Sequence, residues 1–123
     1  MVNYFVRGAS AFLSVSAALL LGISQAEAHA QMVHAVPGPN ASVSAPQMIE
    51  IHFNEALAAR FSSFKVTDVD GAQVALKPME SKDPKALAAM PAAPLMPGLY
   101  TVSWAAAGGD GHPMTGKFSF TVK

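Results

Sequence analysis

The residues best suited to chemistry in this sequence are histidines and a carboxylate near its two ends. The chain contains four histidines and no cysteine, so a metal site must use imidazole, carboxylate or thioether ligands rather than thiolates. Asp110 and His112 are two positions apart near the end, and His29 lies near the start. Residues two apart in an extended segment point to the same side, so Asp110 and His112 can bind one ion together.

His29 gains a second ligand if the chain is cut immediately before it. Small residues at 26 and 28 occupy the two positions that a signal peptidase reads, and residues 8–25 carry no charge. This segment is interrupted by serines and is shorter than the ~20 predominantly apolar residues of a membrane helix. We therefore predict a cleaved signal peptide over residues 1–28, an exported domain over residues 29–123, and a free α-amine on His29.

The predicted ligand set consists of one amine, two imidazoles and one carboxylate. The amine and Nδ1 of His29 can close a chelate ring on one metal ion, which reduces the entropy lost in assembling the site. A nitrogen-rich tetragonal set suits Cu(II), and the Irving–Williams order favours copper over the other divalent ions. The sequence predicts one Cu(II) ion per chain, bound by His29, Asp110 and His112.

Length and charge exclude several other classes of function. A chain of 123 residues forms one domain at most. Eight basic residues balance eight acidic ones, and removing Arg7 and Glu27 with the signal peptide leaves this balance unchanged. No basic stripe is present to bind nucleic acid, and no sequence motif of a phosphate loop, serine hydrolase or zinc metalloprotease occurs.

The elements that must position these ligands are β-strands. Apolar residues alternate with polar ones, as in Ile49, Ile51 and Phe53, and Gly, Pro and Asp clusters separate the runs. Seven such runs predict an all-β fold, a seven-stranded antiparallel Greek-key sandwich or barrel of the immunoglobulin-like or cupredoxin-like type. Residues 77–97 are interpreted as a surface excursion with one short strand near 86–90. Tyr100 is either a core residue or a residue that bonds back to the preceding corner.

The other two histidines and three of the methionines are predicted not to bind metal. His34 lies close enough to His29 to assist a metal site, but a strand histidine is more often just partly exposed, and we favour that interpretation. His52 alternates with core residues and is expected to face away from the core. Met79, Met90 and Met96 are expected to fill gaps in the core, the usual role of single methionines.

Several segments together resemble the CopC family. They are the histidine directly after the signal peptide, Pro37, IHFNEAL at 51–57, GLYTVSW at 98–104 and DGHPMTGKFSFTV at 110–122. The resemblance covers the whole predicted domain. It implies a small periplasmic copper carrier with a seven-stranded Greek-key barrel, whose Cu(II) ligands correspond to His29, Asp110 and His112. It also implies a membrane copper permease of the CopD type as a partner, and we expect a monomer.

One segment departs from the family pattern. Better-known members carry a methionine-rich Cu(I) loop after the third strand, whereas residues 66–74 read VTDVDGAQV and contain no methionine. The sequence therefore resembles the branch of the family that has the Cu(II) site without the Cu(I) site.

Two other classes of function stay open at this point. An N-terminal histidine chelate with a second histidine is also the metal core of lytic polysaccharide monooxygenases, which are oxidative copper enzymes. Those chains are usually larger and have a flat aromatic binding face, so we predict a non-enzymatic protein. A structural sandwich module without metal is the third hypothesis.

Overall fold

The computed structural model describes residues 29–123, and the predicted signal peptide lies outside the described residues. Eight strands form, together with a 3-10 turn at Ala59–Phe61. Within residues 29–123, none of the helical structure is long and apolar enough to cross a membrane. The strands are β1 (Met32–Val36), β2 (Ser42–Val43), β3 (Ile49–Phe53), β4 (Ser63–Thr67), β5 (Leu76–Met79), β6 (Ala86–Pro91), β7 (Gly98–Ala107) and β8 (Pro113–Val122).

The strands form two four-stranded sheets packed as a sandwich. The first sheet has the order β1-β3-β6-β5 and the second the order β2-β8-β7-β4. Every connection between consecutive strands of residues 29–123 passes from one sheet to the other except β5 to β6 and β7 to β8, and such crossings are typical of Greek-key sandwiches. The predicted all-β fold of two sheets is confirmed.

The strand count differs from the predicted seven because a two-residue strand, β2, adds to the second sheet. Its residues Ser42 and Val43 pair with Thr121 and Val122, and this pairing is parallel, whereas every other strand pair within residues 29–123 is antiparallel. Two residues are too few to show the alternation from which strands are predicted. The pairing with β8 alone makes this segment a strand.

The core lies between the sheets and consists of the inward side chains of the alternating runs. Ile49 and Ile51 of β3 are fully buried, as are Val66 of β4 and Val102 of β7. Tyr100 stacks on Phe120 with ring centroids 5.7 Å apart. Its hydroxyl donates a hydrogen bond of 2.7 Å to the Met96 carbonyl oxygen, so Tyr100 does bond back to the preceding corner.

The interpretation of residues 77–97 as a surface excursion is wrong in part. The short strand exists as β6, but it lies inside the first sheet, between β3 and β5. Ala86, Ala89 and Leu95 are buried. The prolines and small residues of this segment hid its pattern, because alanine contributes little to an apolar alternation even when it faces the core.

Substituting Gly116 with alanine is expected to destabilise the fold. The Trp104 ring lies directly over Gly116, its cross-strand partner, and an added Cβ would collide with the indole. Trp104 also makes an edge contact with Phe53 at 5.1 Å between ring centroids, so it cannot move without disturbing the core. We expect Gly116→Ala to lower the free energy of unfolding by ~1–3 kcal/mol in denaturant titrations.

Gly109→Ala is the matched control, because nothing lies within 4 Å of a Cβ at that position. Equal unfolding free energies for the two variants would show that Trp104 does not require a glycine beneath it.

Candidate metal centre

Asp110 and His112 lie in the loop that joins the two longest strands. The hairpin of β7 and β8 closes with Ala107 paired to Pro113, and the amide of Gly111 donates to the carbonyl of Gly108 across the loop at 3.0 Å. The amide of His112 donates to Asp110 Oδ1 at 3.1 Å. One carboxylate oxygen of Asp110 thus holds the loop, and the other oxygen is available for a different partner.

His29 reaches the same end of the sandwich because the residues after it are anchored. Ala30 is buried with the core. The amide of Gln31 donates to Asn54 Oδ1 at 2.8 Å, and the amide of Asn54 donates to the carbonyl of Gln31 at 3.0 Å. These contacts fix the chain from its second residue after the predicted cleavage point, which leaves His29 little choice of position.

Both histidines converge on one oxygen atom of Asp110. His29 Nδ1 lies 3.3 Å from Asp110 Oδ2, and His112 Nδ1 lies 3.6 Å from the same atom. The side chain of Asp110 is 23% exposed, compared with 50% for His29 and 78% for His112. The structure therefore brings together the three residues named from the sequence, although His29 and His112 are 83 positions apart.

The surroundings of Asp110 keep its carboxylate ionised. The amide of His112 lowers the pKa of Asp110 below its ordinary 3.8, the two histidines lower that pKa further, and partial desolvation opposes them. A carboxylate that stays charged can neutralise part of the charge of a bound cation.

The side chains are arranged as ion-pair partners rather than as a finished ligand sphere. Among residues 29–123, no group of three His, Asp or Glu side chains is already disposed to hold a metal ion. With residues 1–28 attached, the backbone nitrogen of His29 is an amide and lacks the lone pair that an amine offers. The donor types nevertheless fit Cu(II), since two imidazoles and a carboxylate meet at one accessible point.

Glu55 is a neighbour of this centre that the sequence reasoning did not single out. Its carboxylate packs against Gly108 at the base of the loop, where an added Cβ would collide with Glu55 Oε1. Glu55 directly follows Asn54, which holds Gln31. The segment after β3 therefore supports both halves of the centre, a contact that no local sequence pattern indicates.

The other two histidines lie on the sheet surface as predicted, with His34 exposed and His52 facing away from the core, whereas the methionines depart from the role predicted for them. His34 does not join the centre at Asp110 but stacks on His52, with ring centroids 4.2 Å apart and planes 9° apart. The prediction that Met79, Met90 and Met96 fill the core is wrong, because they are 39%, 39% and 74% exposed. Met79 on β5, Met90 on β6 and Met96 in the corner after β6 all occupy positions that face solvent.

The sequence profile of the CopC domain matches residues 32–123. The chain belongs to the CopC family. The family resemblance seen in the sequence is therefore confirmed, and the match covers all eight strands of the sandwich.

Individual CopC relatives agree with this assignment. The chain is 36% identical over 121 residues to copper resistance protein C of Pseudomonas syringae pv. tomato, covering 93% of this chain and 96% of the relative. The crystal structure of PcoC, a methionine-rich copper resistance protein from Escherichia coli, matches with a TM-score of 0.73 and 38% identity. That match covers 78% of this chain and all of PcoC.

A longer relative matches this chain over only part of its own length. Copper transport protein CutJ of Bacillus subtilis is 34% identical over 98 residues, which are 77% of this chain but 18% of CutJ. Sequence similar to this chain thus makes up nearly all of one relative and a minor part of another.

Proposed function

We propose that this chain is a periplasmic copper carrier or buffer, not an enzyme, that binds one Cu(II) ion after cleavage before His29. The observation that carries the proposal is the convergence of His29 and His112 on Asp110 Oδ2, at 3.3 and 3.6 Å. The names of the relatives, a copper resistance protein and a copper transport protein, support copper as the cargo. The uncharged stretch at residues 8–25 and the small residues at 26 and 28 support export.

Each residue has a separate task in this proposal. His29 supplies its amine and imidazole, His112 supplies a second imidazole, and Asp110 supplies a negative charge that its lowered pKa maintains. The hydrogen bond from the His112 amide to Asp110 Oδ1 keeps the loop closed, so Asp110 Oδ2 stays directed at the histidines. Cargo of this kind is released when an acceptor competes for the ligands or when protons do.

Titration of the mature protein with Cu(II), followed by electron paramagnetic resonance, tests the proposal. We expect one equivalent of Cu(II) to give a nitrogen-rich spectrum at neutral pH. Absence of that spectrum would contradict the carrier function and leave the metal-free structural module. Ascorbate-driven peroxide production or polysaccharide cleavage by the copper-loaded protein would instead support an oxidative enzyme.

A membrane copper permease of the CopD type is the proposed partner. Support comes from CutJ, a copper transport protein in which the matched CopC domain is a minor part of the length. We propose that the chain acts as a monomer and holds no methionine-rich Cu(I) loop, since residues 66–74 contain no methionine. Co-purification with such a permease, and elution as a monomer in size-exclusion chromatography, are the expected results.

Copper affinity is expected to fall as the pH is lowered from about 8 to about 6. Free α-amines titrate near ~7.7–8.0 and imidazoles near ~6.5, and both must lose a proton to bind. The Asp110 carboxylate does not contribute in this range, because its pKa is lowered from 3.8 and its charge is lost only below that value. Competition titrations against a chelator of known affinity measure the profile. A flat profile down to about pH 4 would indicate binding by carboxylates alone.

A further inference from the structure

A second group of ligand side chains lies on the outer face of the first sheet, on the two strands that begin the domain. His34 on β1 is the direct cross-strand partner of His52 on β3. The register shifts between Met32 and His34, so that Val33 is an extra residue in β1. This bulge gives His34 and His52 the same outward direction, whereas an unbroken register would set Val33 opposite His52.

We propose that His34, His52 and Glu50 form a second binding site for a divalent transition metal ion, with Asp83 orienting His52. The preferred ion is Cu(II), since the Irving–Williams order places it highest for a site of two imidazoles and one carboxylate. His34 lies five positions along the chain from His29, which corresponds to about 16 Å if the segment is fully extended. The second site shares no ligand with the centre at Asp110 and does not depend on it.

The spacing of the two imidazoles suits a shared ion. Their ring centroids are 4.2 Å apart and their planes are nearly parallel. Two nitrogens that each lie ~2.0–2.1 Å from one metal ion are at most about 4 Å from each other. As described, the rings are stacked rather than aimed at a common point. Rotation of His34 about its broad χ2 torsion would turn one of its nitrogens toward Nε2 of His52 without moving the strands, while His52 keeps its present orientation.

Both nitrogens of His52 already face carboxylates. His52 Nε2 lies 3.3 Å from Glu50 Oε2, and His52 Nδ1 lies 3.7 Å from Asp83 Oδ2. A metal-binding histidine usually donates its second ring N–H to a carboxylate, which fixes the ring and raises its basicity. Glu50 beside Nε2 and Asp83 beside Nδ1 reproduce this arrangement, with Glu50 next to the ion and Asp83 behind the ring.

An ion can reach this group from solvent. The side chains of His52, Glu50 and Asp83 are 23%, 31% and 48% exposed, and His34 is exposed at the edge of the sheet. The same contacts also suit an imidazolium of His52 held between two carboxylates with no metal. The experiment must therefore distinguish a bound ion from an ion pair.

The test uses a background in which the first centre is disabled, by one residue added before His29 together with Asp110→Ala and His112→Ala. We expect this protein to bind one Cu(II) ion in calorimetry, with selective broadening of the His34 and His52 ring signals in nuclear magnetic resonance. Adding His34→Gln or His52→Gln should weaken that binding at least about tenfold, and Asp83→Asn should weaken it within the ~10–100-fold range of outer-shell partners.

Glu50→Gln should likewise weaken the binding at least about tenfold, whereas its matched control, Glu80→Gln, should leave the affinity unchanged. Because His34 is exposed, His34→Gln alone decides the matter if His52→Gln impairs folding, which circular dichroism detects. Absence of binding in the background, or binding that His34→Gln does not weaken, would overturn the second site and leave His52 as an ion pair. Neither result bears on Cu(II) binding by the protein with an intact first centre.

Discussion

A protein with one extra residue before His29 is expected to bind Cu(II) at least about a hundredfold more weakly than the protein that begins at His29. The extension turns the α-amine into an amide and destroys the chelate ring, so a ligand is lost outright. Loss of an outer-shell partner alone costs about 10–100-fold in metal affinity. Competition titration of the two forms at one pH measures the difference.

The control for this comparison is an extension at the opposite end, after Lys123, which leaves the amine free. Mass spectrometry of the exported protein must first establish that it begins at His29. If the N-terminally extended form binds Cu(II) as tightly as the form that begins at His29, the proposed ligand set is wrong, whatever the effect of the other substitutions.

Asp110→Asn is expected to weaken Cu(II) binding about tenfold to a hundredfold without opening the loop. In the protein described, the His112 amide donates to Asp110 Oδ1 at 3.1 Å, and asparagine keeps this acceptor. The substitution removes only the negative charge that faces both histidines. Calorimetry measures the affinity, and the amide signals of residues 108–112 report whether the loop stays closed.

Asp68→Asn is a matched control, because Asp68 Oδ1 accepts the amides of Asp70 and Ala72 at 2.9 Å in another turn. It should leave copper binding unchanged. An Asp110→Asn variant with a closed loop and undiminished affinity would remove Asp110 from the ligand set and leave the two histidines.

If the N-terminal extension and Asp110→Asn both weaken Cu(II) binding as predicted, copper binding is coupled to cleavage of the signal peptide. The precursor has the imidazole of His29 next to Asp110 but no amine, so it holds only part of the ligand set. The anchoring of residues 30 and 31 by the core and by Asn54 then matters, since a new N-terminus is ordinarily mobile. We expect the strong Cu(II) site to appear only on cleavage, which restricts tight binding to the exported form.

The sequence by itself determined the fold class and the main candidate ligands. Ile49, Ile51 and Phe53 face the core as their alternation predicts, because the direction of successive side chains in a strand is a local property. The pairing of Asp110 with His112 in one loop is also local. The absence of cysteine limited the ligand types before any fold was known.

Tertiary structure alone decided which distant residues meet. The contact of His29 with Asp110 depends on both ends of the chain reaching the same end of the sandwich, and His34 meets His52 only because a bulge at Val33 shifts the register. The exposure of Met79 and Met90 depends on the place of β6 inside the first sheet. Strand order, register and bulges are set by pairing between segments remote in sequence. They therefore cannot be predicted from the periodicity within one segment.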